Sequence, residues 1–154
     1  MSLNEEEFQE WLADMDLVID ALLVKMPRAM RPFFDHSVES LDVLETWLLA
    51  RYKHNDLMLK KSESIILDGC ARYIGETYRH HLGGHWFIDR KHNCYDGLPL
   101  VGGFGEFVAP LCPLTLATTS VDRRRGDFIS TILRKQIKLQ REQKPFEFHL
   151  ELEE

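Results

Sequence analysis

Apolar residues recur at three- and four-residue steps along most of the chain, which is the period of helices with one buried face. The first such pattern covers residues 8–23 and follows Asn4, a plausible cap, and three glutamates that suit the positive end of a helix. A second pattern covers residues 41–52, and either Ser37 or Ser40 can cap it. We therefore predict two amphipathic helices in the first third of the chain.

A third helical pattern starts between residues 57 and 64, ends at Leu82, and forms the centre of the predicted domain. Its glycines and alanine allow another element to lie close against it, so we expect it to be buried. The glycine pair 83–84 permits the left-handed backbone that closes a helix, and residues 86–88 have the aromatic and branched character of an inner strand. We expect residues 65–88 to be interior scaffolding, with polar side chains that serve architecture.

The second half of the chain predicts strands, a loop and one more helix. Residues 94–101 form a possible edge strand interrupted by proline, and residues 102–105 a glycine-rich loop. Residues 114–121 have the strongest strand composition in the chain, and Asp127 can cap a last helix. The tail, 146–153, alternates strictly between apolar and polar residues, which predicts either an edge strand or a frayed terminus.

Together these elements predict an α+β fold. We expect N-terminal helices and a C-terminal helix to pack on a small, mainly antiparallel sheet. At 154 residues with 44% hydrophobic composition, the chain is the usual size of one domain. We therefore predict a single α+β domain over residues 1–154.

Charge and cysteine usage narrow the choice of partner and compartment. A formal net charge of −6 argues against nucleic-acid binding, which needs a surplus of clustered basic residues, and suits a basic protein partner. Cys70, Cys94 and Cys112 show no paired spacing, as is usual in a reducing compartment. The N-terminus is acidic where a secretory signal would be basic, and no apolar run reaches the length of a membrane span. We expect a cytoplasmic protein that does not engage membranes.

Signatures of catalysis and of cofactor binding are incomplete. The histidine-rich segment 80–85 matches no established zinc spacing, so we predict no metal site there. The glycine-rich loop 102–105 lacks the Lys and Ser/Thr of a phosphate-binding P-loop, so we predict no nucleotide cofactor. No Gly-x-Ser-x-Gly elbow occurs, and the consecutive arginines 123–125 are most simply a solvated turn. We expect a binding protein rather than an enzyme.

One alternative places chemistry on the central helix. Glu76 can pair with Arg79 on the helix face, or it can be a partly buried acid held by other side chains. With His80 and His85 these residues would line a polar pocket of a small enzyme or ligand-binding protein. A pocket holding several of them would favour that alternative.

Three runs of the chain carry a family resemblance: Asp35 to Leu48, the motif Y-x-G-E-x-x-R-x-x-x-G-G-x-W from Tyr73 to Trp86, and Pro113 to Leu116. Over roughly residues 35–135, the chain resembles small uncharacterised bacterial cytosolic proteins, some of which are similar to immunity proteins of polymorphic toxin systems. The motifs are packing motifs, so the resemblance implies a fold and a class of function but no catalytic residue.

The leading functional expectation is a non-enzymatic, immunity-type inhibitor that binds and neutralises a basic toxin or effector domain. Acidic residues would steer the encounter, and aromatic anchors would prolong it. The candidate partner-binding residues are Asp14, Asp16, Asp20, Phe104, Glu106 and Glu151. A third hypothesis is a homodimeric structural subunit joined through an exposed edge strand.

Overall fold

The computed structural model describes residues 2–90 and 97–153, and from residue 143 onward it describes the backbone alone. The α-helices in chain order are α1 (Glu5–Ala13), α2 (Met15–Val24), α3 (Val38–Arg51), α4 (Asn55–Met58), α5 (Ser64–Leu82), α6 (Pro113–Arg123) and α7 (Phe128–Glu153). Short 3-10 helices cover Arg28–Phe33 and Lys61–Glu63, and the strands are β1 (His85–Phe87) and β2 (Leu100–Gly102). The protein has an α+β fold that is mostly helical and carries a small antiparallel sheet, as predicted.

The N-terminal helices begin where the caps predict. The Asn4 side chain accepts a hydrogen bond from the Glu7 backbone N–H at 2.8 Å, and Glu7 accepts one from the Asn4 N–H at 3.0 Å, which forms a capping box. The helix expected over residues 8–23 is divided at Asp14 into α1 and α2. Of the two candidate caps for α3, Ser37 is the cap, because its Oγ accepts from the backbone N–H of Ser40 at 3.1 Å.

Helix α5 is the centre of the fold, as predicted. It is buried around most of its circumference and packs against α2, α6, α7 and β2. Gly75 lets Trp86 lie directly on the helix, since a Cβ at this position would lie 2.0 Å from a Trp86 ring atom. Gly83, with φ of +78°, ends the helix in a backbone conformation that favours glycine.

The sheet is smaller than predicted. Strand β1 pairs antiparallel with β2, with His85 opposite Gly102 and Phe87 opposite Leu100. Only the last two residues of the strand expected over 94–101 belong to β2, and residues 94–96 lie outside the described part of the chain. Val101 also makes a single antiparallel bridge to Leu111.

The strand predicted over residues 114–121 is wrong, because these residues form helix α6. Pro113 occupies the first turn, where its missing N–H costs nothing. Leu116, Ala117 and Ser120 fall on one helical face and are buried there. Threonine and serine hydroxyls along α6 bond backbone carbonyls three residues earlier, so a β-branched composition is accommodated in a helix.

The edge strand considered for residues 146–153 is also wrong. Helix α7 continues past Pro145 to Glu153. Extending an existing helix adds one hydrogen bond for each residue that is fixed, whereas a new strand needs an available sheet edge. Among the described residues, none of the helices combines the length and the apolar character that a bilayer crossing requires.

Two side chains tie α3 to the segment that follows α6 and to the start of α7. Arg124, expected in a solvated turn, adopts a φ of 54° and donates to the backbone carbonyls of Leu49 at 2.8 Å and Tyr52 at 2.8 Å. Glu45 is fully buried in α3 and accepts a hydrogen bond from the Ile129 N–H at 3.1 Å, at the start of α7. Arg124 therefore has a structural role, which its place in a run of three arginines did not indicate.

Candidate functional site

A cleft of about 630 Å³ opens between α2, the segment that precedes α3, and one face of α5. Its lining combines acidic, basic, aromatic and aliphatic side chains: Asp16, Ile19, Asp20, Leu23, Phe34, His36, Tyr73, Glu76, Arg79 and His80. The α5 members are spaced three and four residues apart, so they share one helix face. The expectation that the polar residues of α5 serve architecture alone is therefore incomplete, because some of them line a cleft.

Glu76 is the most firmly held carboxylate in the cleft. Its Oε2 accepts hydrogen bonds from the Arg79 guanidinium at 2.6 Å and from the Trp86 indole N–H at 3.1 Å. Its Oε1 has no hydrogen-bond partner among the described residues and is not buried. Arg79 is oriented in turn by donation to the Gly84 carbonyl at 3.3 Å. The ion pair expected between Glu76 and Arg79 is present, and one carboxylate oxygen remains accessible.

The cleft carries more negative than positive charge. Asp16 and Asp20 are exposed on α2, and within residues 2–90 and 97–153 neither has an ion-pair partner. With Glu76 they contribute three carboxylates against the single guanidinium of Arg79. Leaving the histidines out of the count, the lining has a net charge of −2. Such a site attracts cations and repels anions.

His36 forms part of the cleft wall, and hydrogen bonds fix its position. Its backbone N–H donates to the Tyr73 hydroxyl at 3.1 Å, and the Tyr73 hydroxyl donates to Ser40 Oγ at 2.7 Å. The imidazole stacks on the Tyr73 ring with centroids 4.9 Å apart. His36 has a φ of 61°, which is uncommon for a residue with a side chain. The surrounding contacts hold this conformation.

Several residues proposed from the sequence lie outside the cleft. Asp14 is exposed between α1 and α2, and Glu106 is exposed in the loop after β2. Phe104 is only 3% exposed and packs in the core, so its proposed role as a partner-binding anchor is wrong. The side chain of Glu151 lies outside the described part of the structure. His85 is exposed on β1 and does not line the cleft.

His36, Tyr73 and Phe34 were missed as site residues. The run around His36 carries a clear cap signal, and Asp35 Oδ1 indeed accepts from the Ser37 N–H at 3.0 Å. That signal concerns the start of α3 and not the direction of the His36 side chain. Tyr73 reads as one more apolar position of a buried helix, and only the tertiary packing reveals its place in the wall.

Metal binding and thiol chemistry gain no support from the described residues. There, no three His, Cys, Asp or Glu side chains are arranged so that they could hold a metal ion. Cys70 and Cys112 are buried free thiols, and burial raises the pKa of the Cys70 thiol, which keeps it protonated. Cys94 lies outside the described residues.

Comparison with known proteins gives no relative: no family model, no curated protein and no solved structure matches the chain.

Proposed function

We propose that the protein is a non-enzymatic binding protein, of the immunity type, whose acidic cleft receives a cationic side chain of a basic protein partner. The observation that carries this proposal is the fixed carboxylate of Glu76, which has one accessible oxygen and lines a cleft with Asp16 and Asp20, neither of which has an ion-pair partner in the described part of the chain. A lysine or arginine side chain satisfies these oxygens and leaves no buried charge unpaired.

The apolar part of the lining fits the stem of such a side chain. Ile19, Leu23 and Phe34 line the same cleft as the carboxylates. The alkyl portion of lysine or arginine can pack against them while the charged end reaches the carboxylates. An inorganic cation would leave these apolar walls without a partner.

The net charge of the chain supports a protein partner of opposite charge. At −6, the protein would attract a basic domain over a distance of about 10 Å at ordinary ionic strength. Exposed aspartates at the rim would accelerate the encounter, and the cleft would prolong the complex. A nuclease-like toxin domain is basic because its substrate is anionic, and covering its active site would neutralise it. We place this encounter in the cytoplasm.

The second candidate is a protein or small enzyme that binds a free organic cation in the same cleft. The volume favours it, because about 630 Å³ lies within the range of roughly 300–1,000 Å³ that is typical of small-molecule sites. Homodimerisation through a sheet edge is a separate hypothesis, and light scattering tests it.

Affinity capture from the native host tests the leading proposal. The tagged wild type is compared with a cleft variant, Asp16→Asn with Asp20→Asn, which removes two charges at nearly constant shape. The matched control is Asp14→Asn with Glu106→Gln, which removes two exposed charges outside the cleft. We expect the wild type and the control to capture the same basic protein, and the cleft variant to capture much less of it.

A captured basic protein should also be toxic when expressed alone and harmless when co-expressed with this chain. Capture that survives in the cleft variant but fails in the control would place the interface elsewhere. Absence of any basic partner, together with binding of a free cation, would favour the second candidate.

A further inference from the structure

We infer that His36 determines which cations the cleft accepts: its neutral ring presents Nε2 as a hydrogen-bond acceptor, so the bound group must carry N–H donors. The expected ligand is a guanidinium or a primary ammonium, and quaternary ammonium groups are rejected. The inference rests on the proposed function of the cleft and specifies its ligand.

The hydrogen-bond network fixes the tautomer of His36. The Thr77 hydroxyl donates its single hydrogen to the Tyr73 carbonyl at 2.8 Å. Thr77 Oγ1 also lies 3.2 Å from His36 Nδ1. Since the hydroxyl hydrogen is already used, Thr77 Oγ1 can only accept here, and Nδ1 must carry the proton. In a neutral ring, Nε2 is then an acceptor.

The ring is also held in place, so the acceptor has a defined position. One side stacks on Tyr73, and the His36 backbone carbonyl accepts a hydrogen bond from His81 Nε2 at 2.7 Å. The Tyr73 hydroxyl is fixed because it donates to Ser40 Oγ, which in turn donates to the Ser37 carbonyl at 2.6 Å. Each hydroxyl in this series of hydrogen bonds donates to one acceptor, so the direction of every bond in the series is defined.

Nε2 is accessible to a ligand. It has no hydrogen-bond partner among the described residues and is not a buried atom. His36 and Glu76 line the same cleft, and Oε1 of Glu76 is accessible. A guanidinium or ammonium can donate to both atoms. A quaternary ammonium has no N–H, so its binding would desolvate Nε2 without replacing the lost hydrogen bond.

Protonation of His36 would convert the acceptor into a charged donor. The charged and titratable groups near His36 come from each element around it: Asp16 and Asp20 from α2, Asp35 from the adjoining segment, and Glu76, Arg79, His80 and His81 from α5. Burial, followed by the charge of His80, lowers the pKa of His36 below its usual 6.5, which outweighs the carboxylates. The neutral ring therefore prevails at pH 6.5 and above, and cation affinity should fall only as the pH drops through the lowered pKa of His36.

The first experiment measures the tautomer in the free protein. Long-range proton–nitrogen correlation spectra of ¹⁵N-histidine-labelled protein at pH 7.5 should show His36 neutral with its proton on Nδ1. Thr77→Val removes the acceptor, and Thr77→Ser retains it. The population of the Nδ1–H tautomer should therefore fall in the first variant and remain high in the second. A proton on Nε2, or a doubly protonated ring, would overturn the inference.

The second experiment measures cation binding. Nα-acetyl-L-arginine amide and tetramethylammonium are titrated into the wild type at pH 7.5 and 5.0 while backbone chemical shifts are recorded. We expect the arginine derivative to bind about 10-fold or more tightly than tetramethylammonium at pH 7.5, and its affinity to be no higher at pH 5.0 than at pH 7.5. Thr77→Val should reduce the preference for the arginine derivative, and Thr77→Ser should retain it.

The outcomes separate the inference from the proposal on which it rests. If tetramethylammonium binds as tightly as the arginine derivative, the cleft is a cation site but His36 does not select the ligand. If neither cation binds at either pH, the inference fails; the proposed function fails with it only if affinity capture also gives no basic partner that depends on Asp16 and Asp20.

Discussion

Replacing Gly75 by alanine tests how the core supports the cleft. The new Cβ would lie 2.0 and 2.2 Å from two atoms of the Trp86 ring, far inside the 3.4 Å at which ordinary contact begins. The ring must therefore move by more than about 1 Å. Little space is available, because Trp86 is only 8% exposed and packs edge to face on Trp11, with centroids 4.8 Å apart.

Three effects determine how much Gly75→Ala changes the free energy of unfolding. Overpacking of a dense core costs about 1–3 kcal/mol. Displacing the indole also removes its hydrogen bond to Glu76, which adds about 1 kcal/mol because water can replace a donor at a partly exposed carboxylate. Alanine in the interior of a helix gains about 1 kcal/mol over glycine. We expect Gly75→Ala to lower the free energy of unfolding by about 1–3 kcal/mol.

The assay is urea denaturation followed by circular dichroism, in wild-type and Trp86→Phe backgrounds. The clashing atoms belong to the six-membered ring of the indole, which phenylalanine cannot place in the same position. Gly75→Ala should therefore be tolerated in the Trp86→Phe background, where only the helix-propensity gain remains. If the alanine has the same effect in both backgrounds, or stabilises the wild type, the close packing of Trp86 on α5 does not explain this glycine.

Substitutions at three further positions test other contacts between elements of the fold. Arg124→Ala removes hydrogen bonds to carbonyls at the end of α3 and should lower the free energy of unfolding by about 2–3 kcal/mol in urea denaturation. Arg124→Gly loses the same bonds but relieves the cost of a Cβ at a φ of 54°, so it should cost about 1 kcal/mol less. Burial raises the pKa of Glu45 above 4.5, so its contribution to stability is present at low pH and is lost as the pH rises through the folded-state pKa. Glu45→Gln keeps an acceptor for the Ile129 N–H, and its stability relative to the wild type should increase between pH 4 and 8; a constant difference would contradict this. Gln140 donates to the carbonyls of Leu82 at 2.8 Å and Phe104 at 2.9 Å, so Gln140→Ala should cost about 1–2 kcal/mol and accelerate hydrogen exchange in the glycine-rich loop.

Elements specified by nearby residues were predictable from the sequence. The caps at Asn4 and Ser37 and the glycine stop at Gly83 act within one helical turn, and each lies where the pattern indicates. The burial of α5 followed from its small and apolar residues. These signals are local, so a single sequence contains them.

The failures concern segments whose composition and periodicity disagree. Residues 114–121 are rich in β-branched residues, which favour strands. The spacing of their buried positions is helical, however, and proline is favourable in the first turn, where Pro113 lies. Residues 146–153 alternate as a strand does, but they continue the hydrogen-bonded helix α7. Both segments form helix, whose backbone hydrogen bonds are internal, and not a strand, which would need a neighbouring strand to pair with.

The cleft depends on distances that no local pattern contains. Glu76 and Arg79 were recognisable as a helix-face pair, but their meeting with Asp16 and Asp20 requires α2 to pack beside α5. That packing is close because Gly69 brings α5 near Leu22, where a Cβ would lie 3.0 Å from the Leu22 Cβ. The two acidic sets were therefore assigned separately from the sequence, one to a partner surface and one to a pocket.

The position of Glu76 shows why scaffold and site need not be separate on α5. Its Oε2 is bound to Trp86, a core residue, while Oε1 remains accessible in the cleft. A carboxylate held in this way loses little conformational entropy when a cation binds, because its rotamer is already fixed. Loosening Trp86 through Gly75→Ala should therefore weaken cation binding even at a urea concentration of zero, where the protein remains folded. Unchanged affinity in that variant would mean that the indole hydrogen bond stabilises the fold without organising the cleft.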